Sequence, residues 1–447
     1  MRSPAGRGGT TATALDVLDA NAAGTSEITA HTRHQVAIRL LPFLFILYVI
    51  NYLDRTNIAY AALGMSRDLG FSDSVFGLGA GILFISYVTL QIPATLLVEH
   101  WSARGVIGGS LIACGAVTAS IGLVHTSGQL YLARFLLGAA EAGYFPGVVV
   151  YLTHWFIRDD RAKAGSNFMA AIPLSFVLGS PLSGWILGHH WLHIAGWRWV
   201  FVLEGLPAVL LGMVALFYIT DWPHQAHWLD ARQRQWIEQK LEAEKPRDEV
   251  RVSTGKVLRS RTVLMLCSVT FLAYFTAYTF GFWYPTMLKR WSGLSDARVG
   301  LLGALPYAVG FVAMIVNGWH SDRSRERHWH AAGPVFIAGL AMLGLIFWHG
   351  APGVTIAWFS LAALTVVFLP TFWTIPPEIL PRSSIAAVVG LVNGVGNVAG
   401  FAGTYFFGYV TTRTGSFSYG LALLMIAAMA SGMIILRLPR PAESRAM

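Results

Sequence analysis

No Asp, Glu, Lys or Arg interrupts the chain from Gly105 to Ala133. This limits the fold more than any other feature, because about 20 residues rising ~1.5 Å each cross the roughly 30 Å of hydrocarbon in a bilayer. Inside lipid every backbone N–H and C=O needs an internal partner, which leaves only helices or closed barrels, and these runs have helix length. Comparable stretches lie near 38–62, 75–98, 106–124, 129–152, 165–188, 200–219, 262–288, 298–318, 331–349, 354–377, 384–410 and 418–437. They predict an all-α membrane protein with 12 transmembrane helices. Charged residues make up only 12% of the sequence, where a soluble domain carries about 25%.

Residues 1–35 are rich in Gly, Ala and Thr and lack the apolar core of a signal peptide, so they read as a disordered cytoplasmic tail. A polar gap at 220–261 divides the rest into an N-terminal six-helix half, 36–219, and a C-terminal six-helix half, 262–437, followed by a short tail, 438–447. Within the gap, Asp230 and Gln233 have the spacing of a capping box. Trp228, Leu229, Trp236, Ile237 and Leu241 would form one face of an amphipathic helix there, read as lying on the membrane surface. With the N-terminus inside, inner loops and tails hold 24 Lys and Arg and outer loops hold 6. The positive-inside rule then places both termini in the cytoplasm of a bacterial inner membrane. It also assigns the net charge of +9 to anionic lipid headgroups, with no nucleic-acid partner. The halves echo each other: Glu99 precedes Arg104 after span two as Asp322 precedes Arg327 after span eight. Such duplication is typical of carriers built from repeats.

Ionisable groups inside spans carry the chemistry, since each costs roughly 2.5–3.5 kcal/mol at a helix centre. Asp54 and Arg55 in span one and Arg134 and Glu141 in span four stand out. Simple ion bridges holding two helices together are the plainer reading, although apolar contacts would do this at less desolvation cost. Arg134 and Glu141 are two turns apart on one face, about 10 Å along the axis, too far to pair with each other. Asp54 and Arg55 point about 100° apart and need separate partners. The C-terminal half offers polar and aromatic groups instead: Tyr274, Tyr278, Trp283, Trp373, Thr374, Asn393 and Asn397. Set against a charged half, they suggest an asymmetric cavity, with charge and protons handled on one side and substrate shape on the other.

Cys114 and Cys267 are too few for a disulfide framework and read as buried small side chains. Gly255-Lys256 lacks the remaining residues of a phosphate loop, and His189, His190 and His193 read as loop residues and not as a metal site. No nucleophile–base constellation is present, so an enzyme is not expected.

Several stretches carry a family resemblance over roughly 36–437. Gly318-Trp-His-Ser-Asp322-Arg323-Ser-Arg-Glu-Arg327 resembles the loop signature of the major facilitator superfamily, and the copy between Thr95 and Arg104 is degenerate. The stretches from Asn51 to Asn57, Arg134 to Gly147 and Trp197 to Pro207 resemble the anion:cation symporter family. Ala171-Ile-Pro173, Ala304-Leu-Pro-Tyr307, His320-Ser-Asp-Arg and Trp329-His330 are most similar to its tartrate- and phthalate-transporter-like branch. The resemblance implies a major facilitator fold and proton-coupled uptake of a small organic anion such as tartrate or a related hydroxy acid. It implies that Arg55 holds the substrate carboxylate beside Tyr52 and Tyr87, and that Trp373 and Asn393 touch the substrate from the other half. Glu141 would be the main proton carrier, with Asp54 and Arg134 forming a pair tied to opening. Gly318, Asp322, Arg323, Arg327, Glu99 and Arg104 would belong to the gating loops. No cofactor beyond the coupling proton is expected, and a monomer would suffice. The Gln that sugar-acid carriers use near Ala171 and Ile172 is missing, which favours a short dicarboxylate or an aromatic acid. Gly179-Ser-Pro-Leu-Ser-Gly184 is similar to an antiporter signature and keeps proton-coupled exchange or export as an alternative.

Overall fold

The structure, a computed structural model, describes residues 14–244, 257–381 and 384–440, without the side chains of 14–28, 99, 100, 162 and 386. The described residues form helices joined by short turns, with no strand among them. Twelve helices are long and apolar enough to cross a membrane. In the first half they are α1 (Thr29–Leu69), α2 (Asp73–Val98), α3 (Ala103–Ile121), α4 (Ser127–Trp155), α5 (Arg158–Leu187) and α6 (Gly196–Tyr218). In the second they are α7 (Arg261–Ser292), α8 (Asp296–Ser324), α9 (His328–Phe347), α10 (Pro352–Ile379), α11 (Ala387–Thr414) and α12 (Ser418–Leu436). All twelve expected spans are present.

Helix starts follow local chemistry. The first backbone N–H groups of a helix lack intrahelical partners, and a Ser, Thr or Asp side chain can accept from them. Ser72, Ser102, Ser260 and Ser295 do so for α2, α3, α7 and α8, and Thr126 forms a full capping box with Gln129 at α4. Gly293 and Gly415 end α7 and α11 in the left-handed region. Outward faces are apolar: Phe217 is 89% and Ile92 72% exposed. Lipid would cover them, so association of the helices rests on close packing more than on water exclusion.

Two expectations need correction. Helix continues upstream of α1 to Ala14, inside the stretch expected to be disordered. Ala-rich sequence favours helix here, and residues 33–40 are tied down: Arg33 pairs with Asp160 at 2.6 Å, Gln35 donates to the Trp228 carbonyl at 3.0 Å, and Val36 and Leu40 are buried. Residues 1–13 and 441–447 lie outside the described residues. The linker helix Ala231–Ala243 begins with the expected Asp230–Gln233 box, yet its apolar face lies on the protein and not on a lipid surface. Leu229 and Ile237 are buried, Trp228 stacks on Trp155 at 5.3 Å, and Gln233 donates to Gln35 at 2.9 Å. An apolar stripe already spent on α1 and α4 has little left for a membrane.

The halves meet along α2 with α11, α5 with α8, and α1 with α7. The seam is tight at one end. There Asp73 pairs with Arg290, and both the backbone N–H and the hydroxyl of Ser74 reach Thr412 Oγ1, at 2.9 and 2.8 Å. Gly184 and Gly300 cross backbone to backbone, where a Cβ added at Gly184 would lie 2.5 Å from Gly300 Cα. The Asp73–Arg290 and Ser74–Thr412 contacts tie the halves together at this end. Toward the other end the helices part. On α11, Gly400 packs on Phe84, whereas a side chain added at Gly394 or Gly390 would meet nothing within 4 Å. The seam therefore opens toward the loops that carry most of the Lys and Arg.

The signature loops lie at that open end. Arg327 bridges to Asp322 at 2.5 Å and Glu378 at 3.8 Å, and the Arg323 guanidinium sits 5.7 Å over Trp319. Burial works to raise the Glu326 carboxyl, but the N–H groups of Trp329 and His330 and the His330 imidazole outweigh it and hold it below its usual range. In the first half, Arg104 faces Asp221 at 3.9 Å, and Asp221 also accepts from Ser102 Oγ and the Arg104 N–H at 2.8 and 2.7 Å. The side chain of Glu99 lies outside the described residues.

Gly300→Val should force α5 and α8 apart at the closed end. Overpacking of this kind costs about 1–3 kcal/mol, enough to shift the balance between closed and open ends roughly 5- to 150-fold. Spin-label distances across residues 74 and 412 should lengthen in the variant, and an unchanged distribution would remove the crossing as the feature that holds this end shut.

Candidate functional site

Near the middle of the seam, Arg55 Nε donates to Glu141 Oε1 at 2.8 Å. Arg55 is 9% exposed and Glu141 5%. Three ring faces surround the guanidinium: Tyr52 at 5.1 Å, Tyr87 at 5.2 Å and Phe84 at 6.0 Å. From the second half, Tyr278 packs on Phe84 at 4.6 Å, and Tyr274 meets Tyr278 edge-on at 5.5 Å. A weakly hydrated guanidinium is well suited to such walls, which supply a favourable quadrupole where water is scarce.

Local sequence positions each partner. Glu141 ends the first segment of α4, Ser127–Glu141, just before the chain restarts at Tyr144. Pro146 lacks an N–H to offer Ala142 and bends the helix there. One turn earlier Gly138 lies directly against Leu83 and Ser86 of α2, a contact that a side chain would block. That approach brings Arg134, which is fully buried, onto the backbone. It donates to the carbonyls of Gly79 at 3.2 Å, Asp54 at 3.4 Å and Ala80 at 3.5 Å.

The expected Asp54–Arg134 ion pair is accordingly absent from this conformation: the Arg134 N–H groups are turned to main-chain oxygens of α1 and α2. Asp54 instead receives Asn57 Nδ2 on Oδ1 at 3.5 Å, with Thr118 beside it. Tyr52, Tyr87, Tyr274 and Tyr278 gather around Arg55. Trp373 stands next to Phe372 and is close to Tyr274. Asn393 is half-buried on α11, and Asn397 uses Nδ2 on the Asn393 carbonyl at 2.9 Å, within its own helix. Trp283 belongs elsewhere, since it is fully buried at the closed end with Nε1 on the Thr404 carbonyl at 3.2 Å. Asp322 and Arg323 end α8, Arg327 precedes α9 and Arg104 opens α3, all at helix ends away from Arg55.

Sequence reasoning passed over Glu204 of α6, which is 2% exposed and accepts from Ser183 Oγ at 2.6 Å. The same signal that exposed the other four, an acid inside an uncharged run, would have found it. Among the described residues no group of three His, Cys, Asp or Glu side chains could hold a metal ion.

The profile of the Major Facilitator Superfamily matches residues 44–404. A protein of Agrobacterium vitis named "Putative tartrate transporter" is 39% identical over 433 residues, covering 94% of this chain and 95% of that protein. The Escherichia coli K12 "Inner membrane transport protein RhmT" is 33% identical and is covered to 94%, against 90% of this chain. A crystal structure of a bacterial homologue of the human lysosomal transporter Spinster, inward-facing and unoccupied, superimposes with a TM-score of 0.71 at 19% identity, covering 93% of this chain and 97% of that one. The chain belongs to the major facilitator superfamily and is a multi-pass membrane transporter of that type, not an enzyme.

Removing one partner of a buried ion pair strands the other charge. Glu141→Gln should lower folding stability by about 3–5 kcal/mol, read as a clear drop in the thermal midpoint of the protein purified in detergent. An unchanged midpoint would mean that the pair adds little to stability.

Proposed function

We propose that this member of the superfamily takes up a small organic anion, such as tartrate or a related dicarboxylate or hydroxy acid, together with protons. The observation that carries the reading is the Arg55–Glu141 pair, a buried guanidinium whose compensating charge can be removed by a proton. With Glu141 ionised, Arg55 is satisfied and the site has no electrostatic call for an anion. Once Glu141 is protonated, Arg55 is left as an uncompensated charge among aromatic rings. A substrate carboxylate can take the vacated place through a bidentate pair with the planar fork. Proton and anion thereby favour each other's binding, which is the condition for symport.

On this reading the carrier needs no cofactor and works as a monomer in a bacterial inner membrane, with both termini cytoplasmic. The relative with an inner-membrane name and the excess of Lys and Arg on the loops at the open end support that placement. Tyr52, Tyr87, Tyr274, Tyr278, Trp373, Asn393 and Asn397 then face the substrate. The density of rings around Arg55 favours a second substrate class, an aromatic carboxylate, carried by the same mechanism.

A monoanion entering alone works against about 2.3 kcal/mol per 100 mV of inside-negative potential. One proton cancels that charge, and a second makes uptake electrogenic. Two acids beside Arg55, Asp54 and Glu141, support a one-proton surplus. In proteoliposomes at equal pH, an inside-negative potassium diffusion potential should drive uptake of a radiolabelled acid chosen from a panel of tartrate, other dicarboxylates and aromatic acids. Uptake indifferent to potential would replace the surplus with an electroneutral cycle, and indifference to a pH gradient as well would overturn proton coupling.

Two variants separate the roles. Glu141→Gln should lose gradient-driven accumulation while retaining exchange of internal for external acid. Arg55→Lys substitutes a point charge for the fork and should weaken the apparent affinity roughly 10- to 100-fold, the equivalent of one lost charge-assisted hydrogen bond. Wild-type affinity in the Lys variant would place the carboxylate elsewhere.

A further inference from the structure

Glu204 lies outside both the Arg55–Glu141 pair and the Arg134 clamp. Its Oε1 accepts from Ser183 Oγ of α5 at 2.6 Å, but among the described residues its Oε2 is buried with no hydrogen-bond partner. Beside it on α1 stands Asn57, 1% exposed, whose Oδ1 is also buried and unpartnered. The other end of the same amide, Nδ2, reaches Asp54 Oδ1 at 3.5 Å. One amide therefore stands between two carboxyl groups. The remaining titratable or charged groups around them are Cys114 on α3, Arg134 and Glu141 on α4, Arg55 and Tyr60 on α1 and, nearer the closed end, Asp68, which accepts from Trp197 Nε1 at 2.9 Å. From α5, Ser183 contributes only a hydroxyl.

An amide has one donating end and one accepting end, and its orientation follows the network around it. With its NH2 group toward Asp54, its oxygen is the end left for the neighbouring Glu204, and two acceptors would face each other unless a proton lay between them. A proton on Glu204 satisfies both orphaned atoms at once. With the amide turned over, Glu204 receives the NH2 group and the proton is needed on Asp54. Burying an unpaired carboxylate is costly, and the charges agree with this count. Inside the first half, Arg55 and Arg134 stand against Asp54, Glu141 and Glu204, so one proton makes the cluster neutral.

We propose that Glu204 is a further proton-binding residue of the carrier, sharing one proton with Asp54 through the Asn57 amide. The proton resides on one carboxyl while the other accepts the amide NH2 group, and the orientation of the amide follows whichever carboxyl holds the proton. Because the Asp54 carbonyl receives Arg134 and Arg55 follows it in the chain, the state of the shared proton reaches the substrate site through α1. Glu204 lies about 12 Å along α6 from its closed-end terminus, so it gives the proton a station on the closed-end side of Arg55. This inference rests on the proton-coupled reading above, and its test is kept separate from that reading.

Infrared difference spectroscopy of the full chain reconstituted in lipid, titrated in D2O without substrate, reads protonated carboxyl groups directly. Wild type should show a protonated-carboxyl band near neutral pH with the area of one group. Glu204→Gln should remove or displace that band, and Ser183→Ala should move it to higher frequency by removing a hydrogen bond to Glu204. Ser183→Ala serves where Glu204→Gln does not fold. A band unchanged in either variant overturns the proposal. Transport tests the other reading: wild-type uptake that ignores a pH gradient while the Glu204 band is present defeats proton coupling and leaves the shared proton standing. Coupled uptake with an unchanged band does the reverse.

Discussion

A charge buried away from water must find a partner, and in this protein that requirement organises the whole first half. Arg55 cannot be left alone among Tyr52, Phe84 and Tyr87, so α4 bends at Pro146 to deliver Glu141 to it. Arg134 meets the same demand differently, by resting on main-chain oxygens, and this draws α1, α2 and α4 into one block. The small side of Gly138 makes that approach possible. Chemistry and packing are thus one problem here: the groups suited to handling anions and protons also determine how closely the helices pack.

The second half carries no comparable burden. It faces Arg55 with rings and amides, whose hydrogen bonds are mostly spent inside their own helices, as Asn397 shows. Such a wall can shift relative to the first half without stranding a charge. Polar contacts around Ser74 and Thr412 tie the halves at one end, while the charged cluster remains whole within one half. An arrangement of this kind lets one half rock while the other keeps its electrostatics intact.

Run length and charge made the twelve spans legible, because lipid penalises any interruption of the kind a soluble core tolerates. The Asp230–Gln233 cap was equally visible, being local. Four of the buried ionisable groups were visible for the same reason, yet their pairing was not. Whether Arg134 meets a carboxylate or a carbonyl depends on how α2 crosses α4, and no spacing along one helix encodes that crossing. Glu204 carried the same signal, an acid inside an uncharged run, but it sits within a motif whose other residues mask it. The linker helix showed its apolar stripe in sequence, but a stripe does not say whether lipid or protein will cover it. Trp283 was one aromatic among several, and only its place at the closed seam separates it from the rings around Arg55.

The closed end joins two unlike materials. The Gly184–Gly300 crossing is main chain against main chain, so it can roll without rearranging any rotamer. The bridge from Asp73 to Arg290 stands at the rim, with the Arg290 side chain 47% exposed, and its strength is shared with the surrounding solution. Dissolved ions screen such a bridge over about 8 Å at physiological ionic strength, while the glycine crossing ignores them. The salinity of the compartment facing this end therefore enters the energy balance of the carrier. Dilute solution at this end would hold the gate more firmly shut than brine.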